Sequence, residues 1–154
     1  MLQPGEKAPD FKLLTTTGEL FQLSDKLREN NVVLYFYPKD ETRGCTAQAC
    51  SFRDQYEIFK EQGAEVVGIS SDNMASHQEF TNKHQLPFIL LSDNDGQVRK
   101  QYKVPRTLGL IPGRVTYVID QQGVIRYAFN SLMKPLEHVN GALNCIKELQ
   151  QKQA

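Results

Sequence analysis

The chain has 154 residues, 40% of them hydrophobic and 23% charged, ordinary values for a globular protein with one buried core, so residues 1–154 read as a single domain. Lys plus Arg and Asp plus Glu both number 18, so no charge excess draws the chain to nucleic acid or anionic lipid. No apolar run reaches the ~18 residues of a membrane span, and Met1 to Lys7 lacks the basic and apolar segments of a secretory signal.

In chain order, Asp10 to Leu13 and Phe21 to Leu23 alternate as a hairpin around Thr17-Gly18. Val32 to Tyr37 is a continuous apolar run, the mark of a central strand covered on both faces. Pro38 breaks it, and a helix starts near Thr42. That helix carries Cys45, Ala49, Phe52, Tyr56 and Phe59 on one stripe and closes at Gly63. Glu65 to Ser70 is a second buried strand. Asp72 or Asn73 caps a helix bearing Met74, His77 and Phe80. Phe88 to Leu91 is a short strand before the Asp93-Asn94-Asp95-Gly96 turn. A short helix from Val98 to Tyr102 and a loop from Val104 to Gly113 follow. Val115 to Ile119 and Val124 to Phe129 form a hairpin around Gln121-Gln122-Gly123. Pro135 opens a last helix with Leu136, Val139, Leu143 and Ile146 toward the core. This order predicts an α/β fold, a central mixed sheet flanked by helices on both faces, with an N-terminal hairpin; it fits the thioredoxin-like fold.

Cys45 is the candidate nucleophile. It falls in the first helical turn, where backbone N–H groups lack intrahelical partners and the macrodipole is positive, a setting that stabilises a thiolate. A buried structural thiol is the competing reading. The three cysteines are an odd, low count, unlike a secreted disulfide scaffold. They fit a reducing, cytoplasmic setting, or a plastid if a transit peptide has been removed.

Pro38, Thr42 and Cys45 fit a P-x-x-x-T-x-x-C pattern. Around it stand Phe36-Tyr37-Pro38-Lys39-Asp40, Gly44-Cys45-Thr46, Ala49-Cys50 and Phe52-Arg53-Asp54, and later Pro112-Gly113-Arg114-Val115-Thr116-Tyr117-Val118-Ile119-Asp120. This wording resembles the peroxiredoxins, in particular the peroxiredoxin Q or bacterioferritin-comigratory-protein branch, of the atypical two-cysteine type. Two departures stand out: Arg43 where the family often has proline, and Gln48 where it often has glutamate. Proline would preset the first helical turn. Glutamate could pair with the active-site arginine, whereas Gln48 can still accept a hydrogen bond without charge.

The resemblance implies a thiol peroxidase for hydrogen peroxide and alkyl hydroperoxides, with no metal, haem or flavin cofactor. Cys45 would attack a peroxide oxygen and become sulfenic acid. Thr42 would orient the peroxide, Arg114 would supply donors and positive charge, and Pro38 would shield the sulfur. Cys50 would act as the resolving cysteine, forming an intramolecular disulfide that thioredoxin or a similar dithiol reduces. For Cys50 a small core residue remains the alternative, and without the motif Arg114 would read as a surface arginine. The branch also implies a monomer. Cys145, in bland surroundings on the last helix, reads as an inert core thiol. His77, His84 and His138 are scattered and show no metal-ligand spacing. Two rival functions remain: a general thiol–disulfide oxidoreductase, opposed by the absence of C-x-x-C, and a redox sensor or binding protein without turnover.

Overall fold

The computed structural model describes residues 1–107 and 111–153. The N-terminal hairpin pairs β1 (Lys12–Leu14) with β2 (Leu20–Gln22), Leu13 opposite Phe21, and runs into the one-turn helix α1 (Leu23–Lys26). The apolar run becomes β3 (Asn31–Phe36), buried at every position. Next come α2 (Arg43–Glu61), β4 (Ala64–Ser70), α3 (Met74–His84) and β5 (Ile89–Ser92). After α4 (Gln97–Gln101), a short ladder joins β6 (Arg106–Thr107) to β7 (Ile111–Pro112). The hairpin of β8 (Val115–Ile119) and β9 (Ile125–Asn130) and the helix α5 (Pro135–Gln153) complete the chain. The central sheet has the order β5-β4-β3-β8-β9, with β3, β4 and β5 parallel and β8 and β9 antiparallel.

Alternation along β3 explains why both faces are covered. Val33 and Tyr35, with Tyr37 just beyond the strand, point into a cluster with Phe52 and Phe59 of α2, Phe80 of α3 and Val139, Ala142 and Ile146 of α5. Val32, Leu34 and Phe36 point the other way, onto Phe11, Phe21, Leu23, Val98 and Tyr102. Tyr35 stacks on Phe52 with centroids 4.6 Å apart. Fully burying a Phe such as Phe52 stabilises the fold by about 1.5–3 kcal/mol, which seats α2 firmly on the sheet.

Two expectations need correction. The segment from Val104 to Gly113 is not a plain loop, because β6 and β7 pair within it, with Arg106 opposite Pro112; positions 108–110 lie outside the described residues. The pairing is closed by Gly113 N–H donating to Pro105 O at 2.9 Å. Only glycine fits there, since a Cβ would stand 2.3 Å from that carbonyl oxygen. Two-residue strands carry no readable period, which is why the sequence shows a loop. Leu136 is also not a core residue: it is 51% exposed, and the buried apolar side chains of α5 begin at Val139. Periodicity puts Leu136 on the stripe but does not say how far the opposing surface extends. No helix among the described residues is long and apolar enough to cross a membrane.

Candidate active site

Between β3 and α2 the chain makes a short loop, and a buried polar knot fixes it. The Asp40 carboxylate accepts from Tyr37 Oη at 2.6 Å and Ser76 Oγ at 2.8 Å, and lies 2.7 Å from His77 Nδ1. Asp40 N–H donates to Asp72 Oδ2 at 2.8 Å. His77 Nε2 lies 3.0 Å from Leu91 O. Both ring nitrogens therefore face oxygen partners. Asp40, Asp72 and His77 have their ligand atoms within 4.8 Å of one another. These contacts make the cluster a clamp between the loop and α3. Burial, aided by Tyr35 and Asp40, pushes the Tyr37 phenol well up. Nothing in the sequence pattern announced this knot, although Asp40 and His77 are both visible there.

Thr42 is the N-cap of α2, but its hydroxyl donates back to Lys39 O at 2.8 Å instead of capping the helix. The first intrahelical bond runs from Thr46 N–H to Thr42 O, so the N–H groups of Arg43, Gly44 and Cys45 precede it. Cys45 is 1% exposed in this turn. It lies at the head of the buried stripe with Ala49, Phe52, Tyr56 and Phe59, and Gln48 is buried with them.

Arg114 comes from the far end of the sequence. β8 pairs antiparallel with β3, Val115 opposite Phe36, which brings Arg114 to the end of β3 from which α2 departs. Its guanidinium is buried. Nη1 donates to Gln48 Oε1 at 2.6 Å, and Nε donates to Leu132 O at 3.1 Å. Nη2 rests on the first turn of α2, 2.9 Å from where a Cβ on Gly44 would stand, so glycine permits the approach. Gln48 thus supplies the neutral acceptor in place of an acid, and its Nε2 is buried without a partner among the described residues.

A second cation escaped sequence reasoning. Arg99 is 5% exposed. Its Nη2 donates to Tyr37 O at 3.2 Å and its Nη1 to Gly113 O at 3.4 Å. Burial lowers its basicity, against the opposing charges of Asp93 and Cys45. Only the sheet order brings α4 under the end of β3, so no local signal marks Arg99.

Pro38, Thr42, Arg43, Ala47, Leu132 and Met133 line a mainly apolar cavity of about 580 Å³, with Arg114 and Gly44 in its wall. Behind Arg114, His138 is fully buried, with Nε2 2.7 Å from Ser131 O and Nδ1 2.8 Å from Thr116 Oγ1. Burial, with a smaller push from Arg114, lowers its pKa to about 4. Cys50 is half-buried on the flank of α2 that meets α3, with Sγ 4.0 Å from His84 Nδ1. Cys145 is half-buried on α5, and burial together with Glu148 pushes its thiol up to about 11. The fold therefore brings Pro38, Thr42 and Arg114 to one cavity, with Cys45 buried next to Gly44 in the adjoining turn of α2, while Cys50 stands one face away on the same helix.

Comparison with known proteins places the chain in a family. The AhpC/TSA family matches residues 4–128. The chain is 51% identical over 146 residues to chloroplastic peroxiredoxin Q of Oryza sativa subsp. japonica, covering 94% of this chain and 67% of that one. The structure of peroxidoxin BcpB from Mycobacterium tuberculosis is 34% identical, with a TM-score of 0.90 over 97% of this chain and 99% of that one. A bacterioferritin comigratory protein of Xanthomonas campestris, studied for alkyl peroxide reduction, is 27% identical with a TM-score of 0.83, covering 91% and 92% of the two chains. The chain belongs to the AhpC/TSA family, in its peroxiredoxin Q branch.

Proposed function

We propose that Cys45 is the peroxidatic nucleophile of this thiol peroxidase and Cys50 its resolving partner. The observation that carries the reading is the buried Cys45 in the first turn of α2, with the Arg114 guanidinium resting on Gly44 beside it. The Cys45 thiolate attacks the distal peroxide oxygen. The O–O bond breaks, the sulfur becomes sulfenic acid, and the leaving oxygen takes a proton to depart as water or alcohol. Arg114 and Arg99 provide fixed positive charge for the thiolate and the departing oxygen. The Thr42 hydroxyl, already oriented by Lys39 O, holds the peroxide, and Pro38 screens the sulfur from water. The apolar wall of Ala47, Leu132 and Met133 suits the carbon chain of an organic hydroperoxide as well as hydrogen peroxide.

Resolution requires the helix to open. Five residues of α-helix rise about 7.5 Å, beyond the Cα separation of about 7 Å that a disulfide tolerates. Cys45 and Cys50 both lie in α2 as free thiols, so the first turns must unwind for the bond to form. Thioredoxin or a similar dithiol then reduces it, and the domain works as a monomer. The chloroplastic rice relative supports a plastid setting beside the cytoplasmic one.

The test is peroxide-dependent NADPH oxidation coupled through thioredoxin and its reductase. Wild type and Cys145→Ser turn over, Cys45→Ser does not, and Cys50→Ser consumes about one equivalent of peroxide and stops. Turnover by Cys45→Ser would overturn the assignment. Reduction of protein disulfides without peroxide consumption would favour a general oxidoreductase, and a single reaction without thioredoxin recycling would favour a sensor.

A further inference from the structure

We propose that His84 is the proton acceptor that readies Cys50 for attack on oxidised Cys45, and that Glu41 holds the imidazole in the working orientation. The inference rests on the reading of Cys45 and Cys50 given above. Cys50 Sγ lies 4.0 Å from His84 Nδ1, within hydrogen-bond range for sulfur. His84 is the last residue of α3, and three contacts fix it there. Its carbonyl accepts from Arg53 Nη1 at 2.8 Å, its ring meets the Phe80 ring edge-on at 5.1 Å, and Gln85 closes the helix in the left-handed conformation.

The other ring nitrogen points at the loop before Cys45. His84 Nε2 is buried and stands 3.4 Å from Glu41 Oε1, within ion-pair range although off the line of a good hydrogen bond. Glu41 is itself held in a strained backbone conformation, φ 65°, uncommon for a residue with a side chain. Its other oxygen binds Lys83 Nζ at 3.0 Å. In the proposed working tautomer the proton sits on Nε2, on the Glu41 side, and the Nδ1 lone pair faces the thiol. The charged and titratable groups around the imidazole are thus Cys50 and Arg53 from α2, Glu41 from the loop and Lys83 from α3. The order carboxylate, imidazole, thiol repeats the logic by which a weak nucleophile is activated by an oriented base.

The step balances. The Cys50 S–H proton passes to His84 Nδ1. The Cys50 thiolate then attacks the Cys45 sulfur as the helix opens, the S–S bond forms and the S–O bond breaks. The departing hydroxide takes a proton from the imidazolium or from solvent and leaves as water. No other oxidant is needed, since the peroxide has already oxidised Cys45.

A single-turnover experiment tests the role. Reduced Cys145→Ser protein, with and without His84→Gln, is mixed with one equivalent of hydrogen peroxide. Sulfenic acid at Cys45 and disulfide formation are each followed by quenching and mass measurement. His84→Gln should leave the first step within about twofold and slow disulfide formation at least about tenfold at pH 7. The deficit should vanish above about pH 9, where a free thiol of pKa about 8.5 ionises unaided. Unchanged disulfide formation at pH 7, or equal slowing at every pH, overturns the proposal. Failure of the first step in the parent protein would instead overturn the peroxidase reading. A second measurement stands apart from peroxide chemistry: alkylation of Cys50 by iodoacetamide in Cys45→Ser, Cys145→Ser protein. It should be several-fold faster with His84 than with His84→Gln at pH 7, and equal rates reject the role.

Discussion

His138 should make the fold sensitive to acid in a definable window. It is fully buried between Thr116, Ser131 and the Phe129 ring, and its pKa falls from 6.5 to about 4 on folding. A base whose folded pKa is depressed contributes stability that is complete above its unfolded pKa. That stability is lost as pH falls through 6.5 toward about 4. At 1.36 kcal/mol per unit, the depression is worth about 3 kcal/mol, a large part of the ~5–15 kcal/mol that holds a typical domain. The loss bears on the active site, because Ser131 N–H donates to Arg114 O and the next carbonyl, Leu132 O, accepts from Arg114 Nε. The assay is urea unfolding of wild type and His138→Gln at intervals from pH 7.5 to 4. Wild type should lose about 3 kcal/mol more than the variant across that range, with the two curves converging toward pH 4. Carboxylates common to both proteins cancel in the comparison. Parallel curves would refute the argument.

Two further substitutions probe the buried charges. Asp40→Asn removes one partner of the buried pair with His77 and should cost about 3–5 kcal/mol. At roughly 2–4 °C per kcal/mol for a chain of this size, the melting temperature should fall by about 6–20 °C, and a change under about 2 °C would contradict the clamp. Gln48→Glu gives the buried Arg114 guanidinium a carboxylate, which it lacks among the described residues, and removes the orphaned Gln48 Nε2 donor. It should raise stability by about 1 kcal/mol in thermal melts, because charge-assisted bonds outweigh neutral ones and an orphaned donor is unfavourable. An unchanged or lower melting temperature would show that the added charge is poorly compensated.

Much of this protein was legible in its residues. The uninterrupted apolar run from Val32 to Tyr37 requires two covered faces, and it becomes the central strand of the sheet. The spacing of Cys45, Ala49, Phe52, Tyr56 and Phe59 turns them to one side of a helix, and all five are buried. Asn73 was one of two candidates for the cap of α3, and its side chain accepts from Ser76 N–H at 2.8 Å. Such features are local: a period, a cap or a break is written in neighbours along the chain. The tertiary structure decided the rest. Arg99 and His138 carry no local mark of burial, yet sheet order brings Arg99 onto Tyr37 O and Gly113 O, and the packing of α5 brings His138 onto Thr116 and Ser131. The Asp40 clamp needs the loop after β3, the start of α3 and the end of β5 to meet, and the contact between Cys50 and His84 needs α2 to lie on α3. Periodicity fixes which side of an element is apolar. Which distant polar groups share that side depends on how the elements cross, and that is set only when the whole core packs.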